Sequence, residues 1–164
     1  MGVARTLLIV FGAVLSILGT YAFALVLFFP GATGSGLGFA MNLLDIFALD
    51  PISLGADPLI YYLMLVLFIV WLVAGFLQLV GLKSRIVGII FSLVPLTMGV
   101  MFTLLFYTDF LGDMTLLFTF MTIGEHFGDF FPVFVNLGAG VGLGAFFLLG
   151  GGVLGLIGSI LPKD

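Results

Sequence analysis

The sequence predicts an all-α integral membrane protein: a single four-transmembrane-helix bundle over residues 1–164, with short amphipathic helices in its two outer connections. Three observations predict it. The chain is 63% hydrophobic and 7% charged, whereas a soluble domain carries a charged fraction of about 25% to coat its surface. Four apolar stretches, 6–29, 59–82, 86–108 and 133–161, contain no charged side chain and reach the roughly 20 residues a helix needs to cross the hydrocarbon layer. Every lysine and arginine falls on one side of those stretches: Arg5, Lys83, Arg85 and Lys163. Lipid cannot satisfy free backbone N–H and C=O groups and no alternating pattern suggests a barrel, so the spans are expected as α-helices.

The same composition excludes several functions. Cysteine is absent, which removes disulfides, thiolate catalysis and Cys-ligated metals. Four basic residues in a chain of net charge −4 make no nucleic-acid footprint.

The first span follows Arg5, and the small pair Ala22 and Ala24 after its apolar run resembles a signal-peptide cleavage site. The apolar run continues to Phe29 past that pair, so a retained helix is expected. The first outer connection, 30–58, opens with the flexible segment "GATGSGLG" and continues as "FAMNLLDIFAL", an amphipathic helix with Asn42 and Asp45 one turn apart. Asp50-Pro51 and Asp57-Pro58 are helix starts: aspartate accepts from free N–H groups while proline takes the first helical position. The second pair opens the second span. Tyr61, Tyr62 and Tyr107 are expected at the outer interface with their hydroxyls hydrated.

Lys83 and Arg85 mark a tight turn into the third span, where Pro95 removes a backbone donor and predicts a kink near Phe91, relieved by Ser92 and Thr97. In the second outer connection, 109–132, Thr115, Thr119, Thr122, His126 and Asp129 recur at spacings of four and three, one stripe of a helix. Turned outward, the stripe wets an interfacial helix. Turned inward, it lines an outer vestibule. Glu125, His126 and Asp129 have the spacing of a cation site, but a second histidine is missing and no metal is expected. No cofactor is expected either: a lone histidine cannot supply bis-histidine haem ligation.

The fourth stretch holds the glycines. Between Asn136 and Ser159 there are nine, although each weakens an isolated helix by about 1 kcal/mol relative to alanine. At about 100° per residue, Gly140, Gly144, Gly151, Gly155 and Gly158 share one sector, and Gly138, Gly142, Ala145 and Gly152 form a second small-residue strip. In lipid, small grooves let backbones approach and gain dispersion and Cα–H···O contacts. Two grooves point to contact with another subunit, or to a second neighbour inside the same chain.

The run Gly138, Gly140, Gly142 and Gly144 is similar to the alternating-glycine helix of the rotor-ring proteolipids of rotary ATPases, and four spans resemble their duplicated form. That family implies an ion-carrying carboxylate inside the membrane, which these spans lack, so rotor function is not expected. The four-span layout also resembles claudin-type tetraspans, without their paired cysteines and tryptophan-bearing first-loop motif, and no family follows from it.

No span carries Asp, Glu, Lys, Arg or His, the residues by which pumps and proton relays are recognised. Ser16, Gln78, Ser92, Thr97, Thr103 and Asn136 are left to bond helix to helix or back to their own backbone. No nucleophile–base pair or phosphate loop accompanies them. The expected function is a nonenzymatic structural or assembly subunit, forming a homo-oligomer or packing with other integral membrane subunits in the lipid bilayer. A small-solute or ion transporter or channel component, with the Thr/His stripe as vestibule, is the alternative. The positive-inside tendency places the chain in the cell membrane with both termini cytoplasmic, and the acids Asp45, Asp50, Asp57, Asp109, Asp113, Glu125 and Asp129 outside.

Overall fold

A computed structural model of the protein describes residues 2–30, 32–108, 112, 114–124 and 131–162. Four helices are long and apolar enough to cross a membrane. The first is α1 (Val3–Ile17), continued by a π-helical turn (Leu18–Ala22). The second is α3 (Pro58–Gln78), continued by a 3₁₀ turn (Leu79–Leu82). The others are α4 (Arg85–Tyr107) and α6 (Leu143–Ile160). Between them lie the strands β1 (Val26–Phe29) and β2 (Ala32–Gly34), and the shorter helices α2 (Gly36–Ala48) and α5 (Met114–Thr122).

Chain direction follows from which residues meet. Ile9 and Gly12 lie against Gly158 and Gly155, and Gly19 lies against Gly144, so α1 and α6 run antiparallel. Gly88, Leu96 and Gly99 meet Ser159, Gly152 and Leu149, which sets α4 antiparallel to α6 as well. One end is tied by two arginines. Arg5 donates through Nη2 to the Gly81 carbonyl at 2.7 Å, and Arg85 donates through Nη2 to the Ile160 carbonyl at 2.6 Å. Both positive groups sit on carbonyls left unpaired at helix C-termini, where the helix dipole favours cations. Arg5 is 2% exposed.

The fold is not all-α, because two apolar stretches leave the helix before their apolar residues end. The first span stops at Ala22 rather than at residue 29, and Val26–Phe29 pairs antiparallel with Ala32–Gly34. The fourth helix starts at Leu143 rather than at residue 133. Before it, Asn136 Oδ1 accepts the Gly138 N–H at 2.9 Å, and Gly138, Ala139 and Gly140 take positive φ values of 116°, 51° and 85°. That turn cannot be α-helical. An apolar run alone does not separate strand from helix.

These two non-helical segments satisfy one another. Ala24 N–H donates to Val133 O and Leu27 N–H to Gly140 O. In the other direction, Gly142 N–H donates to Leu25 O and Gly144 N–H to Ala24 O, and with Leu143 N–H on Val135 O of its own segment the N-terminus of α6 is capped by backbone carbonyls. Backbone polar groups shut away from water persist only when paired, and Ala24, Leu25 and Val26 are fully buried.

At the cap end, Phe68 of α3 packs its ring against Phe39 of α2, Trp71, Phe102 of α4 and Phe118 of α5, at centroid distances of 5.1, 5.6, 6.3 and 5.4 Å. This aromatic cluster anchors the short helices onto the bundle, each edge-to-face pair adding about 0.5–1.5 kcal/mol beyond burial. Tyr61 belongs to the same core and not to a wet interface: it is buried, and its hydroxyl donates to Ile46 O at 2.7 Å. Tyr62 and Tyr107 are half exposed. Pro95 is buried inside α4, which continues through it, and Ser92 Oγ donates to Gly88 O rather than to a carbonyl near Phe91.

Candidate functional site

Two regions were singled out by sequence, and the structure separates them. The first is a seam along α6. A Cβ placed on Gly12 of α1 would lie 2.6 Å from Gly155 N and 2.8 Å from Gly151 O. One on Gly151 would lie 2.7 Å from Gly12 O and 2.5 Å from Ser16 Oγ. Gly144 faces the carbonyls of Phe23 and Ala24, and Gly158 faces Ile9. The predicted sector therefore seats α1, with Gly155 also meeting Ser92 and Gln78. The second strip seats α4 through Gly152, where a Cβ would lie 2.5 Å from Leu96 Cβ and 2.7 Å from its Cα.

Both grooves are occupied by neighbours in the same chain. Gly140 is not part of either, since it lies in the turn before α6 and its φ of 85° serves that turn. The complementary surfaces went unrecognised in the sequence reading, although their signal was present. Gly12 and Ser16 on α1 with Gly19 in its π-helical continuation, and Gly88, Ser92 and Gly99 on α4, each repeat small residues at spacings of three, four or seven, the pattern that permits close helix approach in membranes.

Polar groups in the seam are few. Gln78 is fully buried and donates through Nε2 to Gly151 O at 3.4 Å, a long bond between α3 and α6. Ser16 Oγ, Gln78 Oε1 and Ser159 Oγ are buried without a hydrogen-bond partner. Amides and hydroxyls between closely packed backbones offer no nucleophile–base arrangement, and among the described residues no group of three His, Cys, Asp or Glu gathers to hold a metal.

The second region is the threonine stripe. Helix α5 ends at Thr122 rather than near residue 129, and the next residue, Ile123, already bridges to Gly34. Thr122 is buried against the cap and its hydroxyl donates to Phe118 O at 2.7 Å. Thr115 and Thr119 instead line an open groove of about 970 Å³ between α5 and the 54–60 segment, together with Leu54, Ala56, Asp57, Ile60 and Phe120. Its lining includes no residue of α1, α4 or α6. The stripe does not open on the seam. His126 and Asp129, with Glu125, lie outside the described residues, as do Asp109, Asp113, Lys163 and Asp164.

The groove went unforeseen for a plain reason: its two walls are more than fifty residues apart in sequence, and tertiary packing, including that of Phe118 on Phe68, brings them together. What this chain is similar to does not narrow its chemistry, because no family model, no curated protein and no solved structure matches it.

Proposed function

We propose that the chain is a nonenzymatic, multi-pass structural subunit of a membrane assembly, with its basic end cytoplasmic and its capped end outside. The observation that carries this reading is the closed, chemically quiet bundle. Backbone meets backbone from Gly12 to Gly155, and no Asp, Glu, Lys, Arg or His lies in the bundle between Arg5 at one end and the cap at the other among the described residues. Transport through the α1–α4–α6 axis would need that seam to part. Since α6 is taken up by its own neighbours, partner contacts fall to the outer cap, where Asp45, Asp50 and Asp57 are exposed, and to the lipid-facing flanks.

Native mass spectrometry of the full chain in mild detergent tests the assembly. A defined oligomer or a co-purifying integral subunit is expected. A monomer at every protein-to-detergent ratio, stabilised by a small solute, would favour the transporter alternative. Orientation is read separately. The chain has no cysteine, so Ser53→Cys in the exposed first connection and Ser84→Cys at the basic turn each introduce one thiol. A membrane-impermeant maleimide added to intact cells is expected to label the first and spare the second, and the reverse pattern inverts the topology.

A further inference from the structure

The groove between α5 and the start of α3 has a composition that selects a ligand. Its side walls are Leu54, Ala56, Ile60, Leu117, Phe120 and Ile123. Thr115 and Thr119 present little free polarity there, because their hydroxyls donate to Gly112 O and Thr115 O, each at 2.8 Å. The volume of about 970 Å³ lies at the top of the range of about 300–1,000 Å³ for small-molecule sites. Below the mouth, the α3 flank continues apolar and open through Ile60 and Leu63, 46% and 62% exposed. A hydrocarbon chain entering from the bilayer would leave one greasy surface for another.

Charge settles the other end of the ligand. Asp57 stands on the groove wall, and its Oδ1 caps α3 by accepting the N–H groups of Leu59 at 2.8 Å and Ile60 at 3.2 Å. Its Oδ2 takes no donor among the described residues. Asp45 and Asp50 are exposed on the same connection, while the described basic residues, Arg5, Lys83 and Arg85, stand at the opposite end of the bundle. Among the described residues, an anionic headgroup would meet only like charge here.

We propose that the groove holds one hydrocarbon chain of a membrane lipid with a primary-amine headgroup, whose ammonium is set against Asp57. The full chain, purified in mild detergent, is mixed with dioleoylphosphatidylethanolamine or dioleoylphosphatidylglycerol and retained lipid is counted by native mass spectrometry. The ethanolamine lipid is expected to be retained at least about threefold better, the scale of an exposed ion pair. Asp57→Asn keeps a capping oxygen, since asparagine caps as well as aspartate, and is expected to erase that preference without unfolding the helix. Thr119→Phe fills the groove from a partly exposed position and is expected to reduce retention of both lipids, with circular dichroism unchanged. Equal retention of the two lipids by the parent, or an unaltered preference in Asp57→Asn, overturns the headgroup assignment. Unchanged lipid retention in Thr119→Phe overturns the groove as the site, and loss of a dimer in that variant would give the groove to a second copy instead.

Discussion

Glycine serves two different purposes in this molecule, and the boundary between them falls inside one alternating run. Gly144 lies in α6 with ordinary helical geometry, and a side chain there would strike the carbonyl oxygens of Phe23 and Ala24 at 2.6 and 2.7 Å. Gly140, four residues earlier, sits at φ 85° in the cap, where an added Cβ would stand 3.2 Å from its neighbours. In the seam glycine is required for what it lacks. In the cap turn it is required for the backbone it allows. Substitutions divide the two, because a side chain always takes up space but is strained at positive φ even where space exists.

The largest effect is expected at Gly12→Leu. Three backbone atoms of α6, Gly155 N, Gly151 O and Gly155 Cα, lie within 2.9 Å of the position of its first added carbon, and backbone cannot rotate aside as a side chain does. The α1–α6 seam must open. Loss of more than about 3 kcal/mol is expected, beyond the usual range for overpacking, read as a lowered midpoint in denaturing-detergent titration. A folded bundle of parental stability would show that the seam is not tightly closed.

Phe118→Ala probes the cap by the opposite route, removing bulk instead of adding it. The ring is buried and contacts Phe68 and Phe102 at 5.4 and 5.3 Å, so truncation is expected to cost about 3 kcal/mol. Because α5 touches the bundle mainly through this cluster, the loss should be local. Faster amide exchange is expected in α5 and α2 while α1 and α6 stay protected. Uniform acceleration along the chain would mean that cap and bundle unfold as one unit.

What was legible in the sequence follows the same division. The four spans were visible because length and uniform apolarity suffice for them, and Asp57-Pro58 marked the start of α3 at the right residue, since capping is decided within one turn. The departures at Ala22 and Leu143 were not visible. Val26–Phe29 and 133–142 are apolar enough for a membrane helix, and their true state depends on finding each other's N–H and C=O groups across more than a hundred residues. Gly144, Gly151, Gly155 and Gly158 of the sector, and Gly152 of the second strip, lie in close helix contacts, whereas Gly140 belongs to the turn before α6. What occupies the two grooves was not legible from α6 alone, though the small residues of α1 and α4 supplied the answer once read against it.

Gly140→Ala comes next in size. Space at this position is tight but bounded partly by the Phe106 ring, so the main term is the left-handed backbone, at about 1–2 kcal/mol for an L-residue. Asparagine tolerates that region better than alanine, so Gly140→Asn should be the milder of the two. If alanine and asparagine are equally harmful, crowding against Leu27 and Phe106 governs the position and the contrast with Gly144 disappears.

The smallest effect is also the one with opposite sign. Gly150 adjoins Gly151 and Gly152 in sequence, yet a Cβ on it would meet only Leu15 Cδ1, at 3.7 Å, which is ordinary contact. Its φ is helical and nothing in the bundle needs its hydrogen atom. Alanine at 150 should therefore stabilise α6 by up to about 1 kcal/mol through helix propensity, whereas alanine at 151 places carbon 2.7 Å from both Gly12 O and Ser16 N and should destabilise it. Adjacent, chemically identical substitutions with opposite signs would isolate shape from propensity, since propensity alone gives both the same sign. Equal destabilisation would place a partner on the face of α6 that carries Gly150, and cross-linking from that residue would then identify whether the partner is a second copy of the chain.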